Sequence, residues 1–206
     1  MFISQKGVIL MNRREKLPKI LEKEEKEKLL DTFNERYPTN QRDKTAIELM
    51  LNTGLRLSEL TNLKWEYLNL TTGKIEVIEG KGAKDRIVYA NDEILEKLKS
   101  WRDRQLEELK KRDVNNTEYV FTSLKGNKLD SGNFRRKIYT KTEKAGINKK
   151  VSPHTFRHTF ATDLYKETKN IRLVQKALGH SDLSTTMIYT HIVDDELESA
   201  MKNLKK

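Results

Sequence analysis

The chain has 206 residues, of which 41 are Lys or Arg and 31 are Asp or Glu, and its formal net charge is +10 at pH 7. The absence of cysteine excludes disulfides, thiolate zinc sites and a cysteine nucleophile, and it is compatible with a reducing, cytoplasmic location. No apolar run reaches the roughly 18–20 residues of a transmembrane helix, and no cleavage-site pattern of a signal peptide follows the N-terminus. These features predict a folded protein with one large domain or two small ones and no membrane partner.

The positive charge is concentrated in one part of the chain. Residues 125–180 contain 14 basic and four acidic side chains, so this stretch carries the net charge of the whole protein. Clustered Lys and Arg are typical of a surface that binds phosphates, with nucleic acid as the first candidate. A lysine-rich surface that only contacts solvent is the alternative.

Helical spacing of apolar residues dominates the chain. Pro38 is predicted to end the first helix and Gly54 to end the second, while Asn40, Ser58 and Asp92 are predicted helix caps. The predicted helices cover about 22–33, 40–53, 58–63, 92–112, 131–145, 153–167, 170–178, 182–191 and 194–205.

Two short segments have the pattern of paired strands. Lys74–Glu79 and Arg86–Ala90 are separated by a glycine-rich tip and predict a small hairpin, and Tyr119–Thr122 is a further candidate strand. The predicted fold is therefore mainly α with a small antiparallel β-sheet, an α+β class.

Four segments place unusual polar residues at breaks or on apolar helices. In TGLRLSEL, residues 53–60, Arg56 follows a helix-ending glycine and is preorganised to bind an anion, although a surface arginine after a cap is the simpler reading. In GKGAKDR, residues 80–86, Lys81 lies between glycines and could present a mobile charge or donate a proton. An ordinary hairpin turn explains the same pattern.

The third segment is SPHTFRHTFAT, residues 152–162. His154 and Arg157 lie three positions apart on one helix and can touch the same ligand. His158 follows His154 by four positions, a spacing found in helical zinc pairs. The position of the usual glutamate holds Thr155 or Arg157, so we predict no metal here and a structural, hydrogen-bonded His158.

The fourth segment is LGHSDLSTTMIYTHI, residues 178–192. His180 follows the helix-breaking Gly179, and Ser181 can cap the next helix. Tyr189 lies nine residues after His180, and in isolation it would be interpreted as a packing residue.

Together, the four segments resemble the catalytic domain of the tyrosine recombinases, the phage-integrase and Xer-type site-specific recombinases. The resemblance extends from Leu17 to about Ile192 and includes the order, spacing and identity of the motif residues. It implies residues 1–16 as a short extension, 17–193 as the catalytic domain and 194–206 as a tail helix. The family's usual N-terminal core-binding domain is then expected to be absent.

The resemblance also implies a chemistry that uses no cofactor. Tyr189 would attack the scissile phosphate, form a 3′-phosphotyrosyl bond and release a 5′-hydroxyl. Arg56 and Arg157 would clamp the non-bridging oxygens, and His180 would donate a hydrogen bond to the same phosphate. These cationic and polar groups would supply the charge that a metal supplies in other nucleases.

Three further residues are assigned by the same resemblance. Lys81 would protonate the leaving 5′-oxygen, and His154 would assist proton transfer at Tyr189. Glu59 could pair with a basic neighbour and orient the site, although a surface acid in a helical turn is an equal alternative.

The expected partner is double-stranded DNA. The candidates for contacts with backbone phosphates are Arg135, Arg136, Lys137 and Lys141. Family members usually assemble as tetramers on two DNA sites, with a C-terminal helix exchanged between protomers, and the tail 194–206 fits this role or packs on its own domain.

Three other functions are compatible with parts of the pattern. A DNA-binding accessory or regulatory protein could keep this fold without cutting DNA. A type IB topoisomerase-like enzyme would use the same chemistry to relax DNA, and a basic helical protein with chance matches is the remaining alternative.

Overall fold

The computed structural model describes residues 18–78, 85–115, 117–180, 186–190 and 201–202. It confirms the predicted class, because the described chain is mostly helical with one two-stranded antiparallel sheet. The helices are α1 (Lys23–Asp31), α2 (Pro38–Thr53), α3 (Leu57–Asn62), α4 (Asp92–Lys110), α5 (Ser131–Lys144), α6 (Pro153–Thr168) and α7 (Ile171–Leu178). The strands are β1 (Lys74–Val77) and β2 (Arg86–Tyr89), Trp65–Tyr67 form a 3-10 turn, and residues 186–190 are helical.

The three predicted helix caps were wrong by one to three residues, and the cap residue of α2 is Tyr37 instead of Asn40. Pro38 begins α2 instead of ending α1, because a missing N–H is tolerated at the first helical position. The cap of α4 is Asn91, whose side chain accepts from the N–H of Ile94 at 3.0 Å. Arg56, not Ser58, is the cap residue of α3, and its N–H donates to the carboxylate of Glu59.

The two predicted strands and their antiparallel pairing are confirmed, and the register sorts the side chains into two faces. Ile75 pairs with Val88, and Val77 pairs with Arg86. These four residues are buried, whereas Tyr89 on the opposite face is 64% exposed. The third candidate strand, 119–122, was wrong, because its residues form only isolated bridges to other segments.

The hydrophobic core has a large and a small cluster. In the large cluster α2 packs against α4 and α6, with Ile47, Leu98, Trp101 and Phe156 among its buried residues. The small cluster joins the second half of α6, α7 and the helical segment 186–190. Since α7 also packs against β2, the ends of α2 and α7, the start of β2 and the middle of α6 meet at one place.

None of the described helices is both long and apolar enough to span a membrane.

Candidate active site

Arg157 joins the ends of two helices. The residue is 6% exposed, and its Nη1 donates to the carbonyl oxygen of Gly54 at 2.6 Å while Nη2 donates to that of Leu178 at 2.5 Å. Carbonyl groups at helix C-termini lack partners within their own helix and readily accept from a guanidinium. The backbone of α2 and α7 therefore fixes the position of Arg157.

The close approach of α6 to the end of α2 requires a glycine. Gly54 has a φ of +66°, and a Cβ atom there would lie 2.3 Å from the ring of Phe160. Phe160 is one turn from Arg157 on α6, so the same contact that brings the helices together brings the guanidinium to the Gly54 carbonyl.

Arg56 and Arg86 share the carboxylate of Glu59. Nη1 of Arg56 lies 2.7 Å from Oε1, and the guanidinium of Arg86 reaches Oε1 at 2.8 Å and Oε2 at 2.7 Å. Burial favours a raised pKa for the Glu59 carboxyl, but the hydrogen bond and charge of Arg86, followed by those of Arg56, hold the pKa below its usual value. Glu59 is therefore ionised at neutral pH and pairs with two cations.

His180 begins the chain beyond α7 and is neutral at pH 7. Burial, followed by the charges of Arg157 and Arg56, lowers its pKa to about 4. Its Nδ1 lies 3.0 Å from the hydroxyl oxygen of Thr186. A tautomer that accepts from Thr186 at Nδ1 carries its proton on Nε2, and that nitrogen can donate to a phosphate oxygen.

Tyr189 is 1% exposed and forms a hydrogen bond with His158. The hydroxyl lies 2.8 Å from Nδ1, and the two rings are 5.8 Å apart at an angle of 50°. Burial raises the pKa of Tyr189 to about 12 against the opposing charge of Arg157, while burial and then His154 lower the pKa of His158. The phenol is thus protonated beside a neutral imidazole.

The structure gives the two histidines of α6 different surroundings. His154 was expected to assist proton transfer at Tyr189, yet the hydrogen bond to the phenol is made by His158, and His154 is exposed. The expectation that His158 is a hydrogen-bonded histidine agrees with this contact.

The structure brings four of the predicted residues into one electrostatic cluster. Burial, followed by the charge of Arg56, lowers the pKa of Arg157 to about 10, which still leaves the guanidinium protonated at neutral pH. The charge of Arg157 in turn acts on His180 and Tyr189. Arg56, Arg157, His180 and Tyr189 come from four separate segments, so this cluster is a product of the tertiary fold.

Other predicted features lie outside the described residues. These are Lys81 with its flanking glycines, Ser181, the extension 1–16 and, except for residues 201–202, the tail 194–206. Their roles stay predictions.

The candidates for phosphate contacts lie on α5 and are not equivalent. Arg135 and Arg136 are exposed, and Lys137 is half-buried. The structure corrects the expectation that Lys141 contacts a DNA phosphate. This side chain is 8% exposed, its ammonium donates to the carbonyl of Thr32, and it lies over the ring of Phe33. Lys141 therefore joins α5 to the end of α1 and is not available to DNA in this structure.

Sequence reasoning missed two members of the site, Arg86 and Thr186. A signal for Arg86 was present, because it alternates with Val88 on the buried face of β2, where an arginine needs a partner. For Thr186 we find no comparable signal, since a threonine on a helix is equally common in a core or on a surface.

Comparison with known protein families gives a match over most of the chain. The model of the phage integrase family matches residues 19–196. Tyrosine recombinase XerD of Staphylococcus saprophyticus is 40% identical over 182 residues, which are 88% of this chain and 61% of the relative. The chain therefore spans about three fifths of the length of the curated relatives that it matches.

Solved structures give the same result for the fold. The crystal structure of XerA recombinase aligns with a TM-score of 0.77 and 35% identity over 92% of this chain and 66% of that one. XerH site-specific recombinase, in a post-cleavage complex with a palindromic difH substrate, aligns with a TM-score of 0.76 and 33% identity over 93% of this chain and 54% of that one.

Proposed function

Since the chain belongs to the phage integrase family, we propose that it breaks and rejoins double-stranded DNA at specific sites through a phosphotyrosyl intermediate. The observation that carries this proposal is the cluster of two arginines, a neutral histidine and a buried tyrosine. The names of similar proteins support it, because XerD is a tyrosine recombinase and XerH is described in a complex with its DNA substrate.

The proposed reaction begins with attack by Tyr189 on the scissile phosphate. The bond from the tyrosine oxygen to phosphorus forms as the bond to the 5′-oxygen breaks. Arg56 and Arg157 would bind the non-bridging oxygens, where negative charge increases in the transition state, and His180 would donate from Nε2. Religation is the reverse attack by a 5′-hydroxyl, so the bond energy is retained without an added energy source.

The proposed reaction needs two proton transfers, one to the leaving 5′-oxygen and one from the hydroxyl of Tyr189. Lys81 would give a proton to the leaving 5′-oxygen, and His154 would assist at Tyr189 as the family resemblance implies. The contact between His158 and the phenol makes His158 a second candidate for taking the tyrosine proton, since a neutral imidazole has one accepting nitrogen.

The buried position of Tyr189 requires a rearrangement before attack. At 1% exposure, the hydroxyl is out of reach of an external phosphate. A phenol with a pKa of about 12 is also a weak nucleophile at neutral pH. We therefore include in the proposal a movement of the helical segment 186–190 when DNA binds, which brings Tyr189 towards Arg56 and Arg157.

The assembly and location complete the proposal. A tetramer on two DNA sites, joined through the tail 194–206, and a cytoplasmic location are the family-based expectations for this chain. Counting protomers on a DNA fragment by mass photometry, with and without residues 194–206, tests the assembly.

The test uses a pool of nicked duplexes with randomised sequence around the nick, so that no target sequence has to be assumed. The protein is incubated with the pool, denatured, and any covalently bound DNA is recovered and sequenced. Recovery of one sequence family as a covalent adduct is the expected result. Tyr189→Phe should give no adduct, whereas Tyr37→Phe, at a tyrosine that is 61% exposed, should behave like the wild type.

Other outcomes select other functions. Salt-dependent DNA binding without any adduct would indicate an accessory or regulatory protein, and sequence-independent relaxation of supercoiled plasmid would indicate a topoisomerase-like enzyme. An adduct that persists in Tyr189→Phe would assign the nucleophile to another residue.

A further inference from the structure

Arg86 is a buried cation to which the sequence analysis assigned no catalytic role. It is 8% exposed on the inward face of β2, where an unpaired guanidinium would be strongly unfavourable. Two of its nitrogens bind Glu59, and its Nε donates to the carbonyl oxygen of Ala177 at 2.9 Å. Arg86 therefore links β2 to Glu59 in the segment that contains Arg56 and to the last turn of α7.

The carboxylate of Glu59 accepts four hydrogen bonds. Two come from Arg86, one from Nη1 of Arg56 and one from the backbone N–H of Arg56 at 2.7 Å. A carboxylate has about four lone-pair sites, so its capacity is filled. The Arg56 side chain is held on one edge by this carboxylate and is itself 35% exposed.

The path of Arg86 across α7 depends on Gly179. This glycine has a φ of +67°, and a Cβ atom there would lie 2.9 Å from Cδ of Arg86. Both neighbours of Gly179 belong to the site. The carbonyl of Leu178 accepts from Arg157, and His180 is the next residue in the chain. Arg86 thus contacts Glu59, which holds Arg56, and the end of α7 at Ala177 and Gly179, next to the backbone that holds Arg157 and begins His180.

We propose that Arg86 is a positioning residue for DNA strand cleavage, which acts through Glu59 to orient Arg56 and to keep its positive charge available to the scissile phosphate. The inference rests on the proposed function. Two arginines and one glutamate have a net charge of +1, whereas Arg56 and Glu59 without Arg86 have a net charge of zero. Without Arg86, Glu59 would turn wholly towards Arg56 and compete with the phosphate for its guanidinium.

The test measures single-turnover formation of the covalent adduct at saturating DNA, with a duplex recovered from the randomised pool. Arg86→Met should slow this step by about 10- to 100-fold while the Kd for DNA changes by less than about threefold, because supporting residues act on the geometry of the site more than on total binding. Arg86→Lys keeps the charge but cannot bind both carboxylate oxygens as a fork, so an intermediate loss is expected. If Arg86→Met does not fold, Arg86→Gln replaces it throughout, because glutamine also removes the charge but keeps a polar side chain at this position.

A double substitution separates positioning through Glu59 from a general role in folding. Adding Glu59→Gln to Arg86→Met returns the net charge to +1, so the double variant should cleave faster than Arg86→Met. A structural role would make the double variant equal to or slower than Arg86→Met, and this result would overturn the proposal. Titration of the Glu59 carboxyl by 13C NMR should show its pKa rising in Arg86→Met, since the principal lowering contacts are removed.

Arg42 provides a matched control. It is another arginine of low exposure, and it pairs with the adjacent Asp43 and with the carbonyl of Thr122. Arg42→Met should lower the Tm as Arg86→Met does but leave the single-turnover rate within about twofold, as is usual for substitutions that act on stability only. Absence of an adduct with the wild type contradicts the proposed function itself, whereas a wild-type adduct with an unchanged rate in Arg86→Met contradicts this inference alone.

Discussion

The hydroxyl of Tyr189 lies 2.8 Å from Nδ1 of His158, and this contact buries the predicted nucleophile against α6. His158 was expected to be structural and His154 to serve the tyrosine. The two positions are one turn apart, so the choice between them depends on how the segment 186–190 packs and not on α6 itself.

Removing one partner of this pair should leave the other buried and unsatisfied. His158→Leu is expected to lower the free energy of unfolding by about 1–3 kcal/mol and Tyr189→Phe by about 1 kcal/mol. The double variant should lose at least about 0.5 kcal/mol less than the sum of the single losses. Urea unfolding measures all three, and additive losses would show that the contact contributes nothing in solution.

Gly54→Ala should be strongly destabilising because two effects combine. A left-handed φ of +66° strains any residue with a Cβ, and here the Cβ would overlap Phe160. Strain and overpacking together predict a loss of about 2–5 kcal/mol. Gly146 has the same φ with nothing within 4 Å, so Gly146→Ala should cost only about 1 kcal/mol. Equal losses in thermal or urea unfolding would contradict the close approach of α6 to α2.

His180 predicts a pH dependence of stability. Its pKa falls from about 6.5 in the unfolded chain to about 4 in the folded protein, so the unfolded state binds the proton first as the pH decreases. The associated stability is complete above pH 6.5 and is lost towards pH 4. In His180→Gln, the decrease in the free energy of unfolding between pH 6.5 and pH 4 should be smaller than in the wild type by about 1–2 kcal/mol. This value is lower than the full pKa difference would give, because solvent screens the charge of a half-buried ring. Urea midpoints of the wild type and of His180→Gln at pH 7, 5.5 and 4.5 provide the measurement. If the midpoints of both proteins change with pH in the same way, the prediction is wrong.

The exposed arginines of α5 predict a salt dependence of DNA binding. Arg135→Gln and Arg136→Gln should each reduce the slope of log K against log salt by about one, because each contact with a phosphate releases about one counterion. Lys110→Gln, on α4 and outside the basic segment, is the control and should leave the slope unchanged. Fluorescence anisotropy at several salt concentrations checks the prediction, which fails if all three variants have the slope of the wild type.

Much of the site is readable in the sequence because local rules place its parts. Gly54 and Gly179 end helices, so Arg56 and His180 must follow breaks, and alternation in the hairpin shows which residues face inward. The order and spacing of the four motifs indicated the family, and the match of the family model over residues 19–196 confirms it. Errors fell at helix starts such as Pro38, where a residue that stops one helix is also able to begin the next.

Contacts between segments were decided by the tertiary structure. The sequence determined that Arg56, Arg157, His180 and Tyr189 are present in the right order, but it left open which groups hold them. Packing of α6 against α2 and α7 gave Arg157 two carbonyl partners, the hairpin gave Glu59 a second arginine, and the segment 186–190 brought Tyr189 to His158. The physical reason is that helix and strand periods fix which side chains share a face, whereas a buried polar group takes its partner from whichever element packs against that face.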